Sequence, residues 1–220
     1  MFTGAMDVTS RMRRRAGLLS GAALALMLVG CGASEPVPPV DLPDGTAADP
    51  YAPVPEPGRT IEATPPAEAV DVSGWRIAVV VPDGDTATQT LLSAVGESAD
   101  RYGAHVEEFG GDVDVAFAHA LDADADVVIG LGEGTSDVFA YEASQWLDRE
   151  FLILGAQAAE PTDNVTAVIW EGATSRGSGA PADGDLDPEG VTAARAADAV
   201  AAGLESVAGG VTGIVLHLGR

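Results

Sequence analysis

Seven positions stand where short apolar runs give way to loops: Asp83, Asp85 and Thr86 after one run, Gly132, Glu133 and Thr135 after another, and Glu171 after a third. If those runs are strands of a parallel sheet, all seven fall at strand carboxyl ends, where open α/β sheets hold their ligands. A pocket built from them is carboxylate-lined and suits a small polar ligand offering hydroxyls, amines or a cation. The same residue types have a second use. Asp83, Asp85 and Thr86 can instead cap a helix and complement its dipole, and the sequence leaves both readings open.

Other clusters carry less chemistry. Gly130-Leu131-Gly132-Glu133-Gly134 lacks the third-glycine spacing of a dinucleotide fingerprint and follows the third strand, so it reads as a turn. Asp183, Asp185, Asp187 and Glu189 alternate through an acidic loop but lack the glycine and bidentate glutamate of a calcium loop. A solvated loop accounts for them, and no metal site is expected. Ser175 sits in Ala173-Thr174-Ser175-Arg176-Gly177, a loose match to a nucleophile elbow. The only histidines, His105, His119 and His217, cannot be assigned to it by spacing. All 11 basic residues are arginine and there is no lysine, which removes Walker-type phosphate loops, Schiff-base enzymes and kinases. The expectation is a protein that is not an enzyme and needs no cofactor.

The elements that must position these residues follow from the apolar pattern. Arg76–Val81, His105–Phe109, Val127–Gly130, Phe151–Leu154, Val165–Trp170 and Val211–Leu216 read as strands, most of them buried on both faces. Between them lie helical patterns. One carries Leu91, Leu92, Val95, Ala99 and Tyr102 and stops at Gly103. A second starts at Asp112, a third opens at Ser136 or Asp137 and runs through Tyr141 and Trp146, and a fourth carries Val191, Ala194, Ala197, Val200, Ala201 and Leu204. The alternation predicts an α/β domain over 75–220, a doubly wound, mostly parallel sheet of five to six strands.

The N-terminal part has a different character. Arg11, Arg13, Arg14 and Arg15 precede an apolar or small run from Ala16 to Gly30. At ~1.5 Å per residue that run spans about 22 Å, short of a ~30 Å hydrocarbon core, so 1–30 reads as a secretory signal. Leu28-Val29-Gly30-Cys31 resembles a bacterial lipobox, which implies acylation of Cys31 and a mature chain that starts there. Cys31 is the sole cysteine, so a lipidated chain keeps no thiol for a disulfide, a zinc site or a nucleophile. Residues 31–74 hold ten of the 14 prolines and are predicted as a disordered linker able to reach at most about 130 Å. Loss of 1–30 takes the net charge from −23 to −26. That charge argues against nucleic acid as a partner and leaves the acyl chains to hold the lipid bilayer.

Several segments together resemble one lobe of a two-lobed binding protein. These are the Asp83-Gly84-Asp85 turn after the first strand, Arg101-Tyr102-Gly103 before the second, and Asp124 to Gly132. Trp146 to Ile153, Asn164 to Glu171, Ala193 to Leu204 and Gly209 to Leu216 complete the set. Over 75–220 the chain is similar to the N-terminal lobe of the basic membrane lipoprotein family, solute-binding proteins of ABC importers with a type I periplasmic-binding fold. The resemblance implies a lipid-anchored protein on the extracytoplasmic face of the cell membrane. Such a protein captures a small polar ligand for an ABC permease. Two features depart from the family: Asp83–Gln89 carries no aromatic to stack on a nucleoside base, and the chain ends at Arg220, where the second lobe would begin. These departures favour the alternative expectation, an envelope lipoprotein whose single lobe is a structural or protein-interaction module.

Overall fold

The computed structural model describes residues 56–82 and 84–219. Cys31, the signal-like segment and the first part of the predicted linker lie outside the described residues, as does Asp83.

Strands β2 (Arg76–Val81), β4 (Val127–Leu131), β5 (Phe151–Leu154) and β6 (Val165–Ile169) form the middle of one sheet. β3 (His105–Gly110) flanks β2, and β7 (Ile214–Leu218) flanks β6. Their apolar side chains alternate between two faces, as burial on both sides requires. Ile77, Val79, Ile129, Leu152 and Leu154 pack on one face with helices α1 (Thr86–Tyr102) and α4 (Ala193–Ala208). Val80, Val128, Phe151 and Ile153 pack on the other with α2 (Val113–Asp122) and α3 (Glu133–Glu142). α4 lies close on the sheet because Gly203 offers no side chain; a Cβ there would stand 2.7 Å from Leu152 Cδ1.

The expected α/β, doubly wound parallel architecture is present, with seven strands rather than five to six, all neighbours parallel. The additional strand, β1 (Arg59–Ala63), lies inside the segment expected to be linker and pairs with β7 from Arg59↔Ile214 to Ala63↔Leu218. Ile61 and Ala63 pack onto the α1/α4 side while Arg59, Thr60 and Glu62 stay exposed. That is the pattern of a strand with one face covered, and its short apolar content hid it among prolines. Glu62 Oε1 lies 3.0 Å from His217 Nδ1 across the pair. The linker to β2 is also partly anchored, since Val70 and Val72 are buried in the α1/α4 core. The ordered domain therefore starts well before residue 75.

Three boundaries moved for local reasons. β7 begins at Ile214 rather than Val211, because Gly213 takes a φ of 72° against the Asp163 backbone, where a Cβ would stand 2.7 Å from Asp163 Cα. α3 begins at Glu133, capped only by the backbone turn at Gly132, and gives way at Ala143 to a 3-10 turn before Trp146. α4 starts at Ala193, capped by the Thr192 side chain, so Val191 precedes it. Among the described residues no helix is long and apolar enough to cross a membrane.

At the amino-terminal edge of the sheet the Asp124 carboxylate takes a 2.6 Å bond from Arg76 and sits 3.5 Å from Arg149. The hydrogen bond and charge of Arg76 hold the Asp124 carboxyl below the usual range. Nearby, burial pushes the Glu150 carboxyl up, and its Oε2 is enclosed without a partner. The folded state then holds a proton that the unfolded chain has lost, so stability falls as pH rises from the ordinary glutamate pKa through the folded one. Glu150→Gln is expected to flatten that slope and to raise stability at neutral pH. Urea unfolding of both proteins at mildly acidic and neutral pH checks this, and parallel slopes would refute it.

Candidate functional site

The chain winds outward from β2 to β3, then returns to the other side of β2 as β4. Two adjacent strands thus send their connections in opposite directions, and a crevice opens beyond their carboxyl ends. A cleft of about 360 Å³ occupies that place. Its floor is made by residues that follow four successive strands: Pro82 after β2, Gly132–Gly134 after β4, Gly155 after β5, and Gly172 and Ala173 after β6.

Glycines let the walls meet closely. At Gly134 a Cβ would stand 2.8 Å from the Pro82 ring, so the start of α3 presses against the turn after β2. Gly155, with φ of 77°, meets the Trp170 ring, where a Cβ would lie 3.2 Å from Cη2. Helices α1 and α3 both begin at the cleft. Asp85 caps α1, its Oδ1 accepting from Thr88 N at 2.8 Å. Thr135 Oγ1 donates to Gly132 O at 3.0 Å and so stiffens the α3 entry. The first N–H groups of each helix have no partner within it, and those of Ala87, Glu133 and Gly134 belong to lining residues.

The loop after β6 closes one side. Asp187 N donates to Gly172 O at 2.8 Å, and Thr174 Oγ1 donates to Asp183 O at 2.8 Å. These stitches fold the acidic loop back, bringing Leu186, Pro188 and Val191 to the cleft opposite Leu91 of α1. Ser175 is 4% exposed and lines it as well; its carbonyl accepts from Gln157 N and its Oγ from Gly177 N at 3.3 Å.

Of the residues singled out by sequence, Asp85, Gly132 and Glu133 line this cleft. Asp85 serves as cap and as lining at once. Thr86 is exposed at the start of α1 without lining the cleft, and Thr135 is fully buried beneath it. Glu171 faces a neighbouring cavity of about 760 Å³ with Asp183, Asp185, Asp187, Arg195 and His217. Among the described residues no group of three or more histidine, cysteine or carboxylate side chains is placed to hold a metal ion. Among the described residues no histidine hydrogen-bonds Ser175: His105 opens β3, His119 lies on α2 and His217 pairs with Glu62. The loop residues that complete the cleft had no local signature, because they reach it only through the long-range turn at Gly172.

No protein-family model matches the chain, and no curated protein does. Four chains of solved structures match. One is an ABC transporter system solute-binding protein from Aeropyrum pernix K1, with 14% identity and a TM-score of 0.38 over 44% of this chain and 28% of that one. Another is a transcriptional activator of the comK gene from Bacillus halodurans, with 13% identity and a TM-score of 0.38 over 45% and 35%. The chain thus spans about a third or less of the length of either.

Proposed function

We propose that this protein is a lipid-anchored, extracytoplasmic solute-binding lobe that captures a small polar molecule for an ABC importer. The observation that carries the binding reading is the cleft at the strand-order reversal, bounded by two helix starts and closed on one side by the stitched loop. Its volume of about 360 Å³ sits at the small end of ligand sites, which run ~300–1,000 Å³. The lipid anchor rests on the lipobox-like Leu28–Cys31 and the basic, apolar segment before it. The likeness of residues 75–220 to basic membrane lipoproteins supplies the link to a permease. Among the described residues the cleft lining includes no aromatic side chain, so a nucleobase is not the favoured ligand.

The test is a thermal-shift panel on the chain from residue 31 onward, with Cys31→Ser, against sugars, nucleosides, amino acids, polyamines and calcium. A solute present at 100 times its dissociation constant adds ~2.7 kcal/mol. For a domain of this size that is a rise of roughly 5–10 °C, at ~2–4 °C per kcal/mol. No shift with any solute at millimolar concentration would overturn the binding reading and leave the interaction-module alternative. Intact mass of the protein expressed with its own N-terminus reads the anchor: a diacylglyceryl addition on Cys31 supports it, and an unmodified thiol refutes it.

A further inference from the structure

We infer that the cleft selects a small zwitterion, an ammonium and a carboxylate carried on one short frame with an apolar side group. This rests on the solute-binding reading and names its ligand class.

Two kinds of polar group face the cleft, and they call for opposite charges. Donors come from the α1 and α3 entries, whose first N–H groups have no partner within their helices and carry the positive ends of both dipoles. Two hydroxyls add to them. Thr88 is 6% exposed and lines the cleft, and its side-chain hydroxyl makes no hydrogen bond among the described residues. Of the five serine and threonine hydroxyls on α1, Thr90 and Ser93 each donate to a carbonyl one turn back. Thr86, Thr88 and Ser98 make no such bond, and of these three Thr88 lines the cleft, where its hydroxyl can meet an incoming acceptor. Ser175, buried to the same degree, spends its Oγ as acceptor for Gly177 N, which leaves its own proton to give.

Acceptors come from Asp85, whose second oxygen is not used in capping, and from the exposed carboxylate of Glu133. Among the described residues no arginine lines the cleft. A dianion would meet two carboxylates with no cation to offset them. A simple cation would leave the amides and hydroxyls facing a charge they cannot serve. A zwitterion answers both, its carboxylate on the donors and its ammonium against Asp85 or Glu133. Leu91, Leu186 and Val191 then give an apolar wall for the remaining group.

The experiment is calorimetric titration of the 20 L-amino acids into the chain from residue 31 with Cys31→Ser. Any ligand found is repeated as its amide, which lacks the carboxylate, and as its N-acetyl derivative, which lacks the ammonium. At least one amino acid should bind, and each derivative should bind at least tenfold more weakly, as loss of a hydrogen-bonded charge implies. Thr88→Val should weaken the parent about tenfold. Glu133→Gln should weaken the parent but not the N-acetyl derivative, which lacks the ammonium and keeps a carboxylate that Glu133 repels. Binding that ignores the derivatives, or that ignores both substitutions, overturns the inference. If Thr88→Val fails to fold, the derivative series and Glu133→Gln still decide. A sugar or nucleoside that binds while every amino acid fails refutes the zwitterion and spares the solute-binding reading; if nothing binds, both fall.

Discussion

Phe139→Ala should lower the unfolding free energy by about 3–5 kcal/mol, the usual cost of deleting a buried phenyl ring. At ~2–4 °C per kcal/mol the melting temperature falls by roughly 6–20 °C. Phe139 is 0% exposed and meets Phe117 edge-on at 5.1 Å and Phe151 edge-on at 5.8 Å, while Phe117 and Phe151 stack at 5.6 Å. One ring each from α2, α3 and β5 thus locks two helices to the sheet. The ring also lies against the β4 backbone, since a Cβ on Gly130 would stand 2.8 Å from Phe139 Cζ. Backbone cannot collapse into the space left behind, which places the loss at the high end. Urea unfolding measures it, and a cost below about 1 kcal/mol would mean the trio is not the clamp described.

Asn164→Asp is the second large effect. The Asn164 Nδ2 group donates to the carbonyls of Ala143, Trp146 and Arg149 at 3.2, 2.9 and 3.0 Å. An amide has two protons, so three acceptors share them. Thr162 Oγ1 holds the other side of the group by donating to Oδ1 at 2.6 Å. This hub ties the end of α3 and the following turn to the start of β6. A carboxylate of the same shape would present an oxygen to three carbonyl oxygens, costing at least ~3 kcal/mol at neutral pH. The introduced acid has its folded-state pKa raised, so the penalty is present above that pKa and is relieved as pH falls through it. Asn164→Ala, which removes the donors without adding charge, should fall between the two and show no such pH dependence. Equal melting curves for the two variants across pH would refute the hub.

Legibility in the sequence followed the range of the forces involved. The four central strands announce themselves because a strand buried on both faces must be apolar at every position, as Val127–Leu131 and Phe151–Leu154 are. Asp85, Asp112 and Gly103 were readable as helix ends because their side chains or missing Cβ act on neighbours three or four residues away. β1 was not readable: Arg59-Thr60-Ile61-Glu62-Ala63 is a strand only because β7, some 150 residues on, offers it an edge. The α3 start was missed for a related reason, as a glycine cap leaves no side-chain signature. Half the cleft could be located from strand ends alone. The other half depends on Gly172 meeting Asp187, where φ of 88° and a space without room for a Cβ allow the loop to double back.

The pairing of β1 with β7 also decides how the domain carries load. Any tension arriving through the N-terminal extension enters at Arg59 and meets five side-by-side rungs, reinforced by the Glu62–His217 contact. Drawn lengthwise, such rungs strain in unison; drawn sideways, they unzip singly. The outermost strand thus takes up any such pull at the amino-terminal edge of the sheet, at the opposite end of the central strands from the crevice.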